Sequence, residues 1–375
     1  MHLTKGRKMK QLLVIAVALA SVNAFATRAR VNALANSPHL IDTQTVYRNP
    51  SDIFFVGGDY ATIESGNTVA TSTNNGAEGM VVRSMGDSKM GLALGHDSDN
   101  ALLLRAAAAV PAVVATQQNP VELTYGMKAG DMAWAATFVY SNFKDKTATD
   151  AKEDTMGLRG GLRMGALDAD LRVGLANNAE TKAYGKFKGT TGIGARVGYL
   201  MDTVYLAADV TMAGFKVENA AGIETAKFDS TVIFVNASTS HKKDGSEFFY
   251  GAGLMNTTQK ESVADQKVTA MSLPVWMGLE VDASSWLTLR GSVKQTVLIN
   301  DSKRETTPAA VGDFDLSPGA NNTAAAIGAG LKFNKITLDG SLEGLSNPSA
   351  NGQGNQSQQL NANNLLGTVG LTYMF

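Results

Sequence analysis

The final eleven residues of the chain, 365–375 (LLGTVGLTYMF), decide its fold class. Apolar and aromatic residues recur there at every second position and end on Tyr373 and Phe375, while Thr368 and Thr372 stand between them. A period of two places successive side chains on opposite faces of an extended strand. The chain is therefore predicted to end on a β-strand that has one apolar face and one polar face.

The same alternation recurs along most of the chain before this strand. Leu206, Ala208 and Val210, for example, alternate with Ala207 and Asp209. Such alternation predicts an all-β fold in which every strand has one apolar face. The other clear segments are residues 121–127, 132–140, 158–164, 171–175, 193–199, 271–281, 287–297, 327–333 and 336–342.

The connectors between these segments alternate between short and long, as in outer-membrane barrels, which have short periplasmic turns and longer extracellular loops. Seven short and eight long connectors predict a transmembrane, antiparallel, up-and-down β-barrel of about sixteen strands, with fourteen as the alternative, beginning near Ile53. The short connectors are predicted at 85–87, 129–131, 165–167, 201–202, 282–285 and 334–335, with a longer one at 238–245. The long connectors are predicted at 64–78, 96–120, 145–154, 177–187, about 217–226, 257–267, 299–322 and 346–362.

The distribution of aromatic residues favours a membrane barrel over a soluble β-sandwich or propeller, which alternating strands also describe. Membrane barrels carry girdles of aromatic side chains near both ends of their strands. Strands of about 9–11 residues also match a tilted membrane crossing better than the shorter strands of soluble sheets. The predicted girdle residues are Tyr125, Trp134, Tyr199, Tyr205, Trp286, Phe333 and Phe375 on the turn side and Tyr140, Phe143, Phe187, Phe215 and Phe228 on the loop side.

Residues 1–26 are predicted to be a secretory signal peptide. A basic stretch at residues 5–10 precedes a short apolar run, and Ala24-Phe25-Ala26 forms a small-x-small cleavage site. The apolar run is too short to cross a bilayer as a helix. We therefore expect residues 27–50 to form a periplasmic segment or partial plug and residues 51–375 to form the barrel.

Composition and charge argue against several classes of function. The chain has no Cys, which excludes a disulfide framework, a thiolate metal site and a Cys nucleophile. Its net charge of −1 argues against nucleic-acid binding. His96, followed by Asp97 and Asp99, is the histidine at the predicted outer rim, but no partner set for catalysis accompanies it. The sequence therefore predicts neither an enzyme nor a cofactor or metal site.

The signal peptide, the alternating strands and the terminal Tyr-Met-Phe together resemble Gram-negative outer-membrane β-barrels of the porin class. This resemblance covers essentially the whole mature chain and implies contact with outer-membrane lipid and lipopolysaccharide, with a homotrimer as one assembly state. It also implies that the barrel-assembly machinery reads Tyr373 and Phe375 as its assembly signal. Residues 41–50, which contain Tyr-Arg-Asn-Pro, resemble the N-terminal stretch of hydrophobic-substrate transport barrels of the long-chain fatty acid family.

If the apolar faces meet lipid, the polar faces line a lumen whose charges can be assigned from the strand pattern. The basic residues are predicted to lie mostly on one wall and the acidic residues on the opposing arc, which would create a transverse field for ions and hydrophilic solutes. The alternative is that these charges pair as salt bridges that brace the wall. The predicted pore-lining residues are Arg159, Arg163, Arg172, Arg196, Arg290 and Lys294, which are basic, and Asp209, Asp229, Glu247 and Glu280, which are acidic.

The second long loop contains the predicted constriction, at Leu102, Leu103, Leu104 and Arg105. This run is more apolar than an extracellular loop needs, so we expect it to fold into the lumen, with a patch at the rim or at a subunit interface as the alternative. A barrel of sixteen strands encloses an aqueous channel unless something fills it. The sequence therefore predicts a passive diffusion channel for ions and small hydrophilic solutes. The alternatives are an occluded structural or adhesive barrel and a hydrophobic-substrate transport barrel.

Overall fold

The computed structural model describes residues 27–66, 76–96, 117, 119–146, 150–182, 185–263, 265–299, 303–306, 322–346 and 365–375. The predicted signal peptide and the predicted constriction at residues 102–105 lie outside this set. No helix within the described ranges is long and apolar enough to cross a bilayer.

Short helices come first in the described chain and strands follow. The helices are α1 (Arg28–Ala33) and the 3-10 helices η1 (Thr45–Tyr47) and η2 (Pro50–Phe54). The strands are β1 (Tyr60–Gly66), β2 (Gly76–Met85), β3 (Ser88–Leu94), β4 (Val121–Ala129), β5 (Met132–Lys144), β6 (Lys152–Met164), β7 (Leu167–Thr181), β8 (Gly185–Gly189), β9 (Gly192–Met201), β10 (Val204–Glu218), β11 (Glu224–Lys243), β12 (Ser246–Glu261), β13 (Gln266–Asp282), β14 (Leu287–Leu298), β15 (Lys303–Thr306), β16 (Asn322–Phe333), β17 (Ile336–Ser346) and β18 (Leu365–Met374).

These strands form one antiparallel sheet that closes on itself, because β1 pairs with both β2 and β18. At two places in the sheet, two strands together occupy one strand position. Strands β8 and β9 both pair with β7 and β10, and β14 and β15 both pair with β13. The barrel therefore has sixteen strand positions, and the predicted fold class is confirmed.

The short connectors lie at one end of the barrel, and several use a residue with positive φ. Gly130, Asp202 and Asn334 have φ values of 59°, 58° and 53°. Tight hairpin turns need this conformation, which Gly, Asn and Asp adopt most readily. The short turns identify this end as the periplasmic one and the opposite end as the outer one.

Four predicted connectors are too long because strands continue through polar sequence. One is the loop predicted at 177–187, which β7 enters as far as Thr181 and β8 enters from Gly185. The longer connector predicted at 238–245 is a two-residue turn at Asp244 and Gly245, since β11 extends to Lys243. The loop predicted at 257–267 shrinks to residues 262–265. The loop predicted at about 217–226 shrinks to residues 219–223. The ladder supplies backbone hydrogen bonds to polar residues as readily as to apolar ones.

The barrel does not begin near Ile53, because that residue lies in η2 and the first strand starts at Tyr60. Asn49 caps η2 by accepting a hydrogen bond from the Ser51 backbone N–H at 3.1 Å. Pro50 occupies the first helical position, where its missing N–H costs no hydrogen bond. The Asn-Pro pair therefore starts a helix rather than a strand.

The two faces of the strands meet different surroundings. On β18, the side chains of Val369 and Leu371 are 53% and 40% exposed, whereas those of Thr368 and Thr372 are buried. The other strands show the same arrangement, so large apolar side chains cover the outside of the barrel and polar side chains are buried inside. An apolar exterior of this extent is stable only in hydrocarbon. Other exposed apolar residues of the outer face are Leu92, Leu123, Leu158, Leu171, Ile193, Val235, Leu279, Val293 and Ile327.

Five of the predicted girdle aromatics are wrong, because they lie on the inner face of the wall. Phe187, Phe215, Phe228 and Tyr205 are buried, and the half-buried Phe143 shares the inward face of β5 with the buried Ser141. Phe215 shares the inward face of β10 with Asp209, because an even separation keeps two side chains on one face of a strand. The exposed members of the predicted girdles are Tyr125, Trp134, Tyr140, Tyr199, Trp286, Phe333 and Phe375.

Residues 27–59, which we call the N-terminal segment, occupy the interior of the barrel. Helix α1 packs against β14, β16, β17 and β18, and η2 packs against β3, β4, β5 and β6. Close approach of α1 requires a glycine on the wall: a Cβ at Gly328 of β16 would lie 2.6 Å from the Ala33 Cβ. Elsewhere in the segment, Leu34 and Leu40 pack against Phe249 and Trp276 of the wall.

Candidate functional site

The interface between the N-terminal segment and the inner wall is the candidate functional site. Its principal group surrounds Arg30 of α1, whose guanidinium donates to both carboxylate oxygens of Glu280 on β13, at 2.7 and 3.1 Å. Arg290 on β14 donates to the same Glu280 at 2.6 Å and to Asp339 on β17 at 2.5 Å. Asp42 lies 3.7 Å from Arg30, and its burial raises its pKa to about 6. Two arginines thus join the segment to three wall strands through shared carboxylates.

A second group ties the segment to β1 and β2. Glu64 and Glu78 are directly opposite each other in the ladder, where two like charges would repel. The Arg28 backbone N–H donates to Glu64 at 2.6 Å, and the Arg28 guanidinium donates to Glu78 at 2.6 Å. The Gln44 amide donates to both glutamates, at 2.9 and 2.7 Å. The segment therefore supplies the hydrogen bonds that keep this pair of glutamates stable.

A third group holds η2 against β6. The carboxylate of Asp52 is fully buried and accepts hydrogen bonds from Arg163 Nε and from the Thr45 hydroxyl, both at 2.5 Å. Gly161 on the same strand leaves room for the helix, since a Cβ there would lie 2.8 Å from the Ser51 backbone nitrogen. The predicted pore-lining Arg163 is thus bound to the segment.

His96, just beyond the end of β3, connects the segment to the wall at the outer side. Its Nδ1 lies 2.8 Å from Glu122, which also accepts two hydrogen bonds from Arg159, at 2.5 and 3.0 Å. The Tyr47 ring of η1 stacks on the His96 ring with a centroid distance of 3.7 Å. Burial acts to lower the pKa of His96, but Glu122 outweighs burial and raises it. Asp97 and Asp99, which follow His96, lie outside the described residues.

The other predicted pore-lining charges also face the interior, with the exception of Asp229. Arg172 pairs with Asp209 at 2.7 Å and with Asp170 at 3.2 Å. Arg196 donates to the Pro38 carbonyl of the segment at 3.0 Å and contacts Tyr205.

The acidic Glu247 lies 3.5 Å from His39 of the segment and 3.3 Å from Lys242. Lys294 lines a cavity beside α1. Most of these charges therefore pair with one another or with the segment.

Asp229 was predicted to line the pore, and this assignment is wrong. Its side chain is exposed and belongs to the same face of β11 as Ile233 and Val235, which are 48% and 53% exposed. An even separation places all three on the outer face.

The predicted assembly residues Tyr373 and Phe375 also lie on the outer face, with their rings edge to face at 5.4 Å. The Arg83 guanidinium lies 5.1 Å from the centre of the Phe375 ring. Their role in assembly stays a prediction.

An apolar group inside the outer half of the barrel was not predicted. The rings of Phe187, Phe215 and Phe228 stack in a row with centroids 5.1 Å apart, beside Val217 and Val268. All five side chains are buried.

The arrangement as a whole is an ion-pair network rather than a cluster of ligands. Within the described ranges, no group of three or more His, Asp and Glu side chains is placed to hold a metal ion. The expectation of no cofactor stays a prediction.

Comparison with known proteins identifies the fold and no family. No protein-family model matches the chain, and no curated protein matches it. Among solved structures, a bacterial polysaccharide outer-membrane secretin has a TM-score of 0.50 at 8% identity, with 84% of this chain and 98% of that chain covered. A Pseudomonas aeruginosa FadL homologue has a TM-score of 0.46 at 11% identity, with 93% of this chain and 98% of that chain covered. A porin has a TM-score of 0.39 at 8% identity, with 84% of this chain and 99% of that chain covered.

The closed antiparallel barrel and its apolar exterior define the class of protein. The chain is an outer-membrane β-barrel of the Gram-negative type, and its location is the outer membrane.

Proposed function

We propose that this barrel is a gated channel for ions and small hydrophilic solutes whose own N-terminal segment is the gate. The observation that carries the proposal is that the segment occupies the lumen and is joined to the wall by ion pairs and polar hydrogen bonds, in addition to two apolar clusters. Water can replace such contacts at modest net cost, because folding exchanges them for equivalent bonds to solvent. Release of the segment would also expose its buried apolar side chains, and that cost keeps the closed state the more populated one. These side chains are Leu34, Leu40, Val46, Ile53 and Val56.

The charged inner wall supports the choice of hydrophilic solutes. When the segment moves, Glu64, Glu280, Asp339, Arg163 and Arg290 become lining groups of an aqueous path. Barrels of sixteen strands are wide enough for such a path. A passive diffusion channel without a gate, by contrast, requires that solutes pass while the segment stays in place.

Hydrophobic-substrate transport is the second candidate function. The buried row of Phe187, Phe215 and Phe228 favours it, because an aromatic surface inside the outer half of a barrel could receive an apolar solute. Liposome uptake of toluene compared with arabinose distinguishes the two candidates. Faster uptake of arabinose supports the hydrophilic channel.

Tethering the segment to the wall tests gating. The Asn32 side-chain nitrogen lies 3.3 Å from the Thr368 hydroxyl, and the chain has no native Cys to interfere. We expect the double variant Asn32→Cys/Thr368→Cys to lose arabinose flux in proteoliposomes when a disulfide or a short thiol crosslinker joins the two residues. Flux should return on reduction of the disulfide, because the segment is then free to move.

Each single-cysteine variant, treated identically, serves as the control and should keep its flux. Unchanged flux in a sample whose crosslinking is complete by mass spectrometry would contradict the gating proposal. Absence of flux from the untethered protein as well would support an occluded structural barrel instead.

A further inference from the structure

A cavity of about 150 Å³ lies where α1 meets the outer ends of three wall strands. The N-terminal segment contributes Asn32 and Asn36, β14 contributes Lys294, and β17 contributes Glu343. Lys294 and Glu343 each lie within four residues of the outer end of their strand. The cavity is therefore on the side of α1 that solutes from outside the cell reach first.

Lys294 and Glu343 are held apart by a strand with small side chains. Lys294 is opposite Ala324 and Glu343 is opposite Ala326 in the ladder, so β16 runs between the two charges. The two alanines contribute only methyl groups to the cavity. Longer side chains at these positions would fill the space that now separates the ammonium from the carboxylate.

The two charges attract each other across the cavity, but neither has a partner in direct contact. Within the described residues, the Lys294 ammonium and the Glu343 carboxylate make no hydrogen bond, and neither has an ion pair within 4.0 Å. Both side chains are half-buried. By contrast, Arg290, on the same face of β14, makes two ion pairs of 2.6 Å or less. Partly desolvated charges that stay apart are costly unless a polar group stands between them.

We propose that this cavity binds a small zwitterion, specifically an α-amino acid with a short side chain. Lys294 would receive the carboxylate of the ligand, and Glu343 would receive its ammonium group. A cavity of about 150 Å³ is of the size that admits a molecule such as benzene, so it has room for a molecule the size of serine.

The opposite charges of the cavity select a ligand with both charges. A zwitterion pairs both protein charges and leaves none uncompensated, whereas a ligand with one charge leaves its unmatched protein charge buried. Asn32 and Asn36, together with the hydroxyls of Ser292 and Thr296, add neutral hydrogen-bonding groups around the ligand. The cavity exists while the segment is in place, so binding does not depend on gating.

Calorimetric titration of the detergent-solubilised full chain with L-serine tests the proposal. We expect saturable binding at one site, weakened at least about tenfold by Lys294→Met and, separately, by Glu343→Gln, which corresponds to about 1.4 kcal/mol. Lys332→Met is the matched control, because this lysine faces the interior but pairs with Asp282 at 3.1 Å far from the cavity. It should leave serine binding unchanged.

Ethanolamine, which has only the ammonium, and glycolate, which has only the carboxylate, should each bind at least about tenfold more weakly than L-serine. Heat modifiability on gels verifies that each variant is a folded barrel, and two independent variants guard against a folding defect in one. Absence of serine binding to the folded wild-type chain would overturn the proposal and assign the cavity to water. Equal binding by wild type and both folded variants, or equal binding of the single-charge analogues, would overturn it too.

Discussion

Deletion of residues 27–56 should convert a mostly closed barrel into an open one, with a mean current at least about tenfold above that of the intact chain, because a sixteen-stranded wall encloses an aqueous channel once nothing fills it. The deletion leaves Asp59, which accepts from the backbone N–H of Phe375 at 3.0 Å, and the β1–β18 closure intact. The charges that the segment had paired would become hydrated. Planar-bilayer recording of the refolded protein measures the effect.

As a control for folding, the chain that lacks residues 27–56 must show the same heat-modifiable gel shift as the intact chain. Equal currents from the intact and deleted proteins would mean that the segment does not close the lumen. Negligible current from both proteins would mean that another part of the chain blocks the lumen.

Arg290→Met should be the most destabilising single substitution in the interior, costing about 3–5 kcal/mol of unfolding free energy, the usual cost of removing one partner of a buried ion pair. The Arg290 side chain is 1% exposed and serves Glu280 and Asp339 at once. Methionine fills similar volume but leaves Glu280 with Arg30 alone and removes the ion pair of Asp339. Urea unfolding from lipid vesicles measures the loss.

Lys332→Met is the matched control, because its partner Asp282 is 46% exposed and solvent screens the pair. The expected loss there is less than about 1 kcal/mol. The Arg290→Met loss should also shrink in the chain that lacks residues 27–56, because water then solvates the carboxylates. The same loss with and without the segment would show that Arg290 stabilises the wall rather than the interface.

Most of the barrel could be predicted from the sequence, because a strand in a membrane wall shows its two environments residue by residue. The alternation around Leu371 and Thr372 predicted which face meets lipid, and the exposure of each side chain agrees. The errors arose where the alternation was not applied. Their position near strand ends favours the girdle for Phe215 and Phe228, but the alternation along their strands places both side chains inside. The charge of Asp229 favours the lumen, but the alternation along β11 places this side chain outside.

The contacts of the N-terminal segment could not be predicted in the same way. The hydrogen bond between Arg30 and Glu280 spans 250 residues, and that between Thr27 and Asp339 spans 312 residues. A periodic pattern reports which face a residue occupies but carries no information about a partner so distant in the chain. One local signal was available: the Asn-Pro pair at residues 49 and 50 is a helix start, which argues against a first strand near Ile53.

Spin-label accessibility on β18 tests most directly whether the segment fills the interior of a membrane-embedded barrel. Single cysteines at Val369 and Thr368, adjacent residues on opposite faces, carry the label in the intact chain and in the chain lacking residues 27–56. In lipid vesicles, the label at Val369 should be reached by oxygen in both proteins. The label at Thr368 should be shielded from a water-soluble nickel reagent in the intact protein and become accessible after the deletion. Free access of the nickel reagent to Thr368 in the intact protein, or to Val369 in either, would contradict the account.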